Sequence, residues 1–166
     1  MNLILEKTDQ VSYFTDMREV LHAAGLLAED YDWYLSDIET NRTVPGFSSY
    51  DCWLSGAALR EALQSDGLQF IWGVVSAVPK GCRPSVKSEL GADGNPHYWK
   101  VRDLRPQLEG ALFEIACWDG SATLLIGLPD EAAARFKERF SDCRSLNELV
   151  DELANQTLLQ TDSGTR

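Results

Sequence analysis

The sequence predicts a single α+β domain, built on an antiparallel or mixed sheet of four to five strands with helices packed on one face. Three observations predict it. Apolar residues recur at helical spacing in several separate stretches, Asp119-Gly120 sits between two strand-like runs as a hairpin signal, and the elements lack the regular strand–helix–strand alternation of a parallel sheet. At 166 residues, 44% hydrophobic and 10% aromatic, the chain is able to bury a core of ordinary size, and no internal repeat or low-complexity segment interrupts it. The domain is expected over residues 1–154, with the patternless residues 155–166 as a mobile tail.

Leu3–Glu6 reads as a short strand or a lead-in, too brief for periodicity to decide. From Thr15 to Ala24 an amphipathic helix is expected, because Met17, Val20, Leu21 and Ala24 share one stripe and Gly25 follows as a stop. Asp32–Thr40 alternates as a strand, with Trp33, Leu35 and Asp37 on one face and Tyr34, Ser36 and Ile38 on the other. Asn41–Cys52 has loop chemistry in Pro45, Gly46 and Ser48-Ser49, and this stretch brings Phe47, Tyr50 and then Trp53 close together in sequence. Leu54–Gln64 follows as a helix with Leu59, Ala62 and Leu63 on its stripe, ended by Asp66-Gly67.

Leu68–Val78 is nearly continuous apolar sequence bounded by Gly67 and Pro79, the pattern of a central strand, and Gly73 within it marks a bulge or a close backbone approach. Pro79–Asn95 is expected to be a long exposed loop, punctuated by Pro84 and Asp93-Gly94 and carrying Lys80, Arg83 and Lys87. Leu112–Trp118 and Ala122–Leu128 form the hairpin, with Phe113, Ile115 and Cys117 turned to the core. A helix with Ala133, Phe136, Lys137 and Phe140 follows Pro129-Asp130, and the capping-box spacing of Ser145 and Glu148 opens another with Leu149, Val150 and Leu153.

With 15 basic against 26 acidic residues, the net charge of −11 repels phosphate backbones and argues against nucleic-acid binding. The charge is uneven: residues 1–66 hold 12 acids and 4 bases, whereas residues 67–109 hold 4 and 6. Such an acidic segment steers a basic partner toward it. No apolar run reaches the ~18–20 residues a membrane helix needs, and Glu6 and Asp9 interrupt the start where a secretory signal stays apolar. The expectation is a cytoplasmic protein with no membrane contact.

The chain lacks the motifs of the common chemistries. Cys52, Cys82, Cys117 and Cys143 form no Cys-x-x-Cys pair, so no metal site and no cofactor are expected. Ser48, Ser49 and Ser55 lack the Gly-x-Ser-x-Gly frame of a serine hydrolase. Cys52 or Cys82 with His97 and Asp93 would make a nucleophile and base if folding brought them together, and Asp37 and Glu39 share a strand face as paired carboxylates. Acids and histidines of this kind are more often plain surface. Tyr and Trp mixed with acids are instead the composition of a binding interface, which selects Tyr34, Asp37, Glu39, Phe47, Tyr50, Asp51 and Trp53 as partner-binding residues.

The segments Tyr31–Glu39, Phe70–Pro79, Phe113–Gly127 and Ala134–Leu149 resemble, in texture, the small acidic bacterial immunity proteins of polymorphic toxin systems. The resemblance implies a single-domain, cytosolic, non-enzymatic protein that binds a basic toxin domain. Those families share no catalytic motif, so it transfers no functional residue. The sequence is thus read as a non-enzymatic immunity-type inhibitor, with a small-molecule enzyme using loop carboxylates or Cys52 and His97, and an unspecialised assembly subunit, as alternatives.

Overall fold

The computed structural model describes residues 1–47 and 50–162, so Ser48 and Ser49 and the last four residues lie outside the described residues. The chain opens with strand β1 (Leu3–Glu6) and helix α1 (Met17–Ala24). Asp16 caps α1 by accepting from the Glu19 N–H, and Gly25 ends it in the left-handed region, as the Gly25 stop signal implied. A 3₁₀ turn (Ala28–Asp30) then leads into β2 (Tyr31–Thr40), followed after the loop by β3 (Cys52–Ser55) and α2 (Gly56–Ala62), which Ser55 caps. Strand β4 (Phe70–Pro79) matches the long apolar run. A long irregular segment with one short helix, α3 (His97–Lys100), connects it to the hairpin of β5 (Phe113–Trp118) and β6 (Ala122–Ile126). Helix α4 (Asp130–Arg139), strand β7 (Arg144–Ser145) and helix α5 (Leu146–Asp162) complete the fold.

The expected α+β class holds, but the sheet has seven strands rather than four to five. Their order is β3-β2-β4-β5-β6-β1-β7, and every neighbouring pair is antiparallel. The additional strands are short: β3 has four residues and β7 two, lengths at which side-chain alternation leaves no readable pattern. Cys52 and Trp53, placed in loop by composition, and Leu54, placed in a helix, pair instead with Leu35, Tyr34 and Trp33.

The helices pack on both faces of the sheet, which corrects the one-faced arrangement. One face carries Leu3, Trp33, Leu35, Val75, Phe113, Ile115 and Leu125 beneath α1, α2 and α4, whose Met17, Leu21, Leu59, Ala133 and Phe136 join the same cluster. The other carries Ile4, Val74, Ala116, Leu124 and Ile126 beneath Tyr98 of α3 and Leu146 and Leu149 of α5. Adjacent ladder positions feed opposite faces, as with Val74–Ala116 and Val75–Ile115, so strands that are apolar throughout are buried on both sides. Cys117 belongs to the first cluster, fully buried as its alternation with Phe113 and Ile115 indicated, and burial pushes its thiol pKa up.

The stretch from Pro79 to Asn95 is not simply exposed. Leu90 and Ala92 are buried against the second face, with Leu108 from further along the connection. The Asp119-Gly120 turn forms as expected, both residues at positive φ and the Ser121 N–H donating to the Trp118 carbonyl over 2.9 Å. Ser145 accepts from the Glu148 N–H at 3.4 Å at the start of α5, and that helix runs to Asp162, beyond the domain end expected at residue 154. Among the described residues no helix is long and apolar enough to cross a membrane.

Candidate functional site

The site begins with an irregularity in β2. Strict alternation would place Asp37 with Trp33 and Leu35, inside the first core. Instead the β2–β4 register slips between Ser36 and Glu39, and Asp37 adopts φ +54°, a left-handed conformation that aspartate tolerates better than most residues. The bulge returns Ile38 to the first core and turns Asp37 out of it, which corrects the face assignment of both residues. Gly73 on β4 makes this possible, because a Cβ there would lie 2.7 Å from Ile38 Cδ1. The close approach that Gly73 signals is therefore that of a side chain.

Once turned out, the Asp37 carboxylate ties down the connection that crosses the second face. Its Oδ2 accepts from the backbone N–H of Ala92 at 2.9 Å and of Asp93 at 3.0 Å. Gly91 permits this approach, since a Cβ there would stand 3.1 Å from the same oxygen. Asp51, just before β3, accepts from the Asp37 N–H and from the Tyr34 hydroxyl, both at 3.2 Å. The Tyr34 ring, only 7% exposed, lies 5.0 Å from that of Trp53, and Arg83 covers Trp53 while pairing with Asp32 at 3.1 Å.

These contacts frame an open cleft of about 760 Å³, lined by Asp37, Tyr50 and Asp51 on one side and by the segment from Glu89 to Asn95 with Gln107 on the other. Four carboxylates, those of Asp37, Asp51, Glu89 and Asp93, line it, and among the described residues no cationic side chain does. Elsewhere several acids are answered by a cation: Arg60 pairs with Glu29, Arg102 with Asp151, Arg139 with Glu19, and Arg144 with Glu6 and Glu152. None of the four cleft carboxylates makes an ion pair among the described residues. Their combined field is thus uncompensated, and a cation 4 Å from one of them gains about 1 kcal/mol in bulk water and about 4 kcal/mol near a protein surface.

Five of the seven residues selected from the sequence, Tyr34, Asp37, Tyr50, Asp51 and Trp53, gather at or beside this cleft. Two do not. Phe47 is half-buried in the first core, its ring 5.6 Å from Phe70, because an aromatic in a loop packs wherever apolar surface is nearest. Glu39 lies beyond the bulge opposite Trp72, exposed and outside the cleft lining. Cys52 and His97 are also apart: Cys52 packs on the first face of the sheet, whereas His97 stands exposed on α3, which covers the second.

Sequence reasoning missed Glu89, Asn95 and Gln107, and beneath them Glu114. Glu114 is completely buried on β5, where its Oε1 accepts from the Tyr98 hydroxyl and its Oε2 from the Gln107 N–H, each at 2.7 Å. Burial pushes its pKa up, with the two hydrogen bonds acting in the opposite direction. The available signal was a lone carboxylate in the apolar run Phe113–Trp118, but its meaning depends on both faces of that strand being covered. Glu114 does not line the cleft, and the described residues that do offer carboxylates, two amides and a tyrosine. Among the described residues no group of three or more His, Cys, Asp or Glu is placed to hold a metal ion. Comparison with protein families, with curated proteins and with solved structures finds no match for this chain.

Proposed function

We propose that this chain is a non-enzymatic, cytoplasmic protein-binding protein of the immunity type, which neutralises a toxin by receiving a basic surface of it at the acidic cleft. The observation that carries this reading is the convergence of four carboxylates on one cleft, none of which makes an ion pair among the described residues. An open cleft with tyrosine at its mouth suits a protruding basic side chain of a protein, since cation and ring attract one another and flanking carboxylates fix the orientation. Support for binding over the enzymatic alternative comes from the lining, where the described residues offer no nucleophile with an adjacent base, and from the sheet that stands between Cys52 and His97.

Asp37 and Asp51 bond the backbone and Tyr34, so replacing them would disturb the fold as well as the charge. Glu89 and Asp93 are the cleaner probes. Titration of the ¹⁵N-labelled protein with an acetylated hexapeptide of alternating arginine and valine is expected to shift the amides of Tyr50, Glu89, Leu90 and Asp93. The double substitution Glu89→Gln, Asp93→Asn is expected to weaken that binding roughly tenfold, the scale of two partly screened charge contacts. Shifts spread evenly over the acidic surface, or an unchanged affinity in the double variant, would remove the cleft from the account.

A further inference from the structure

We infer that Glu114 is a positioning residue for the cleft: buried beneath it, the carboxyl orients Gln107, and Gln107 in turn clamps the wall that carries Glu89 and Asp93. The connectivity is continuous. Glu114 Oε2 accepts from the Gln107 backbone N–H at 2.7 Å, and Glu114 Oε1 accepts from the Tyr98 hydroxyl at 2.7 Å. That hydroxyl also accepts from Gln107 Nε2 at 2.5 Å, so backbone and side chain of one glutamine are held by the same carboxyl and its partner. The Gln107 amide then engages Gly91 twice, donating from Nε2 to the carbonyl at 3.0 Å and accepting at Oε1 from the N–H at 3.3 Å. Gly91 lies midway between Glu89 and Asp93, the two cleft acids that the connection carries.

Packing alone does not account for a glutamate at this position. Its neighbours on that face of the sheet include Val74, Val78 and Ala116, among which a leucine would bury well, whereas a buried carboxyl carries a desolvation cost that only well-made hydrogen bonds offset. Among the described residues, its side-chain hydrogen bonds run away from the sheet, toward the covering connection, and none goes to a neighbouring strand. The wall is consequently pinned from two sides, by Asp37 of β2 at Ala92 and Asp93 and by the Glu114–Gln107 pair at Gly91. With both in place, the spacing between the carboxylates on opposite sides of the cleft is fixed before a partner arrives, and preorganisation of this kind raises affinity by removing an ordering cost.

That the wall serves a partner rests on the protein-binding reading, but the positioning itself is read without one, by amide hydrogen exchange in the full chain. The variants are Glu114→Gln and Gln107→Met, the latter keeping the backbone N–H that Glu114 accepts. Each is expected to speed exchange at Gly91 and Ala92 at least tenfold relative to Val75 and Ile115, which report opening of the sheet. Combining them is expected to add nothing beyond Gln107→Met at Gly91, because Glu114 acts through Gln107. Exchange at Gly91 that is unchanged in Gln107→Met, or that rises only in step with Val75 and Ile115, would overturn the assignment. If Glu114→Gln fails to fold, Tyr98→Phe removes the hydroxyl bridge instead and is held to the same result. Should the arginine–valine hexapeptide fail to bind wild type while the exchange pattern appears, the partner reading falls and the positioning stands.

Discussion

Trp33→Ala is expected to remove about 3–5 kcal/mol of folding stability, much of what a domain of this size possesses. Trp33 is completely buried on β2 at the centre of the first core, edge-on to Phe113 at 5.7 Å and to Tyr31 at 5.6 Å. Its indole N–H donates to the Ala28 carbonyl at 2.8 Å, which fastens the 3₁₀ turn beneath α2. The substitution therefore opens a cavity, breaks two aromatic contacts and takes from the Ala28 carbonyl one of its two donors, leaving the Tyr31 N–H. Trp33→Phe keeps most of the volume but not the N–H, and is expected to lose about half as much. Urea denaturation followed by circular dichroism supplies both values, and a loss below 1 kcal/mol for the alanine variant would mean that this core is not where the sheet is anchored.

Glu114→Ala is expected to cost about 3 kcal/mol, because the Tyr98 hydroxyl and the Gln107 N–H both lose their acceptor inside the protein, at roughly 1–3 kcal/mol each, while relief of the carboxyl's desolvation returns part of it. The pH dependence carries a sign. Burial raises the folded-state pKa of Glu114 above its unfolded value, so the native state binds this proton more tightly than the unfolded chain does. The corresponding stability is fully present below the ordinary carboxylate range and is lost as pH rises through the raised value. Wild-type stability is thus expected to fall across that window, and Glu114→Gln, which does not titrate, is expected to show a flatter profile. Denaturation midpoints of the two proteins, measured at a series of pH values, test this, and parallel profiles would contradict it.

Much of the fold was legible because local chemistry and tertiary structure agree where the chain is strongly patterned. Gly25 after the α1 stripe, Asp119-Gly120 between β5 and β6, and Ser145 three residues before Glu148 each specify a backbone conformation that the structure adopts. The errors came from long-range partners. Strand β3 is recognisable only from its pairing with β2, and the connection across the second face buries Leu90, Ala92 and Leu108 at spacings that fit no period. The candidate site divides in the same way. Tyr50, Asp51 and Asp37 were visible as acids and aromatics near turns, yet the bulge that delivers Asp37 to the cleft depends on Gly73, thirty-six residues away. Gln107 and Glu114 matter through hydrogen bonds to Gly91 and Tyr98, which spacing along the chain does not reveal.

The central claim, that the cleft receives a basic partner, is tested most directly by the salt dependence of association with the arginine–valine hexapeptide, a basic probe of the kind the proposed reading requires. Stopped-flow rates are compared for wild type and for Glu89→Gln, Asp93→Asn as ionic strength rises from about 0.01 M to about 0.1 M, where the Debye length falls from about 30 Å to about 10 Å. Wild-type association is expected to slow several-fold over that range, and the variant to associate more slowly with a flatter salt slope. A wild-type rate that does not change with salt, or an equal slope in the two proteins, would contradict it.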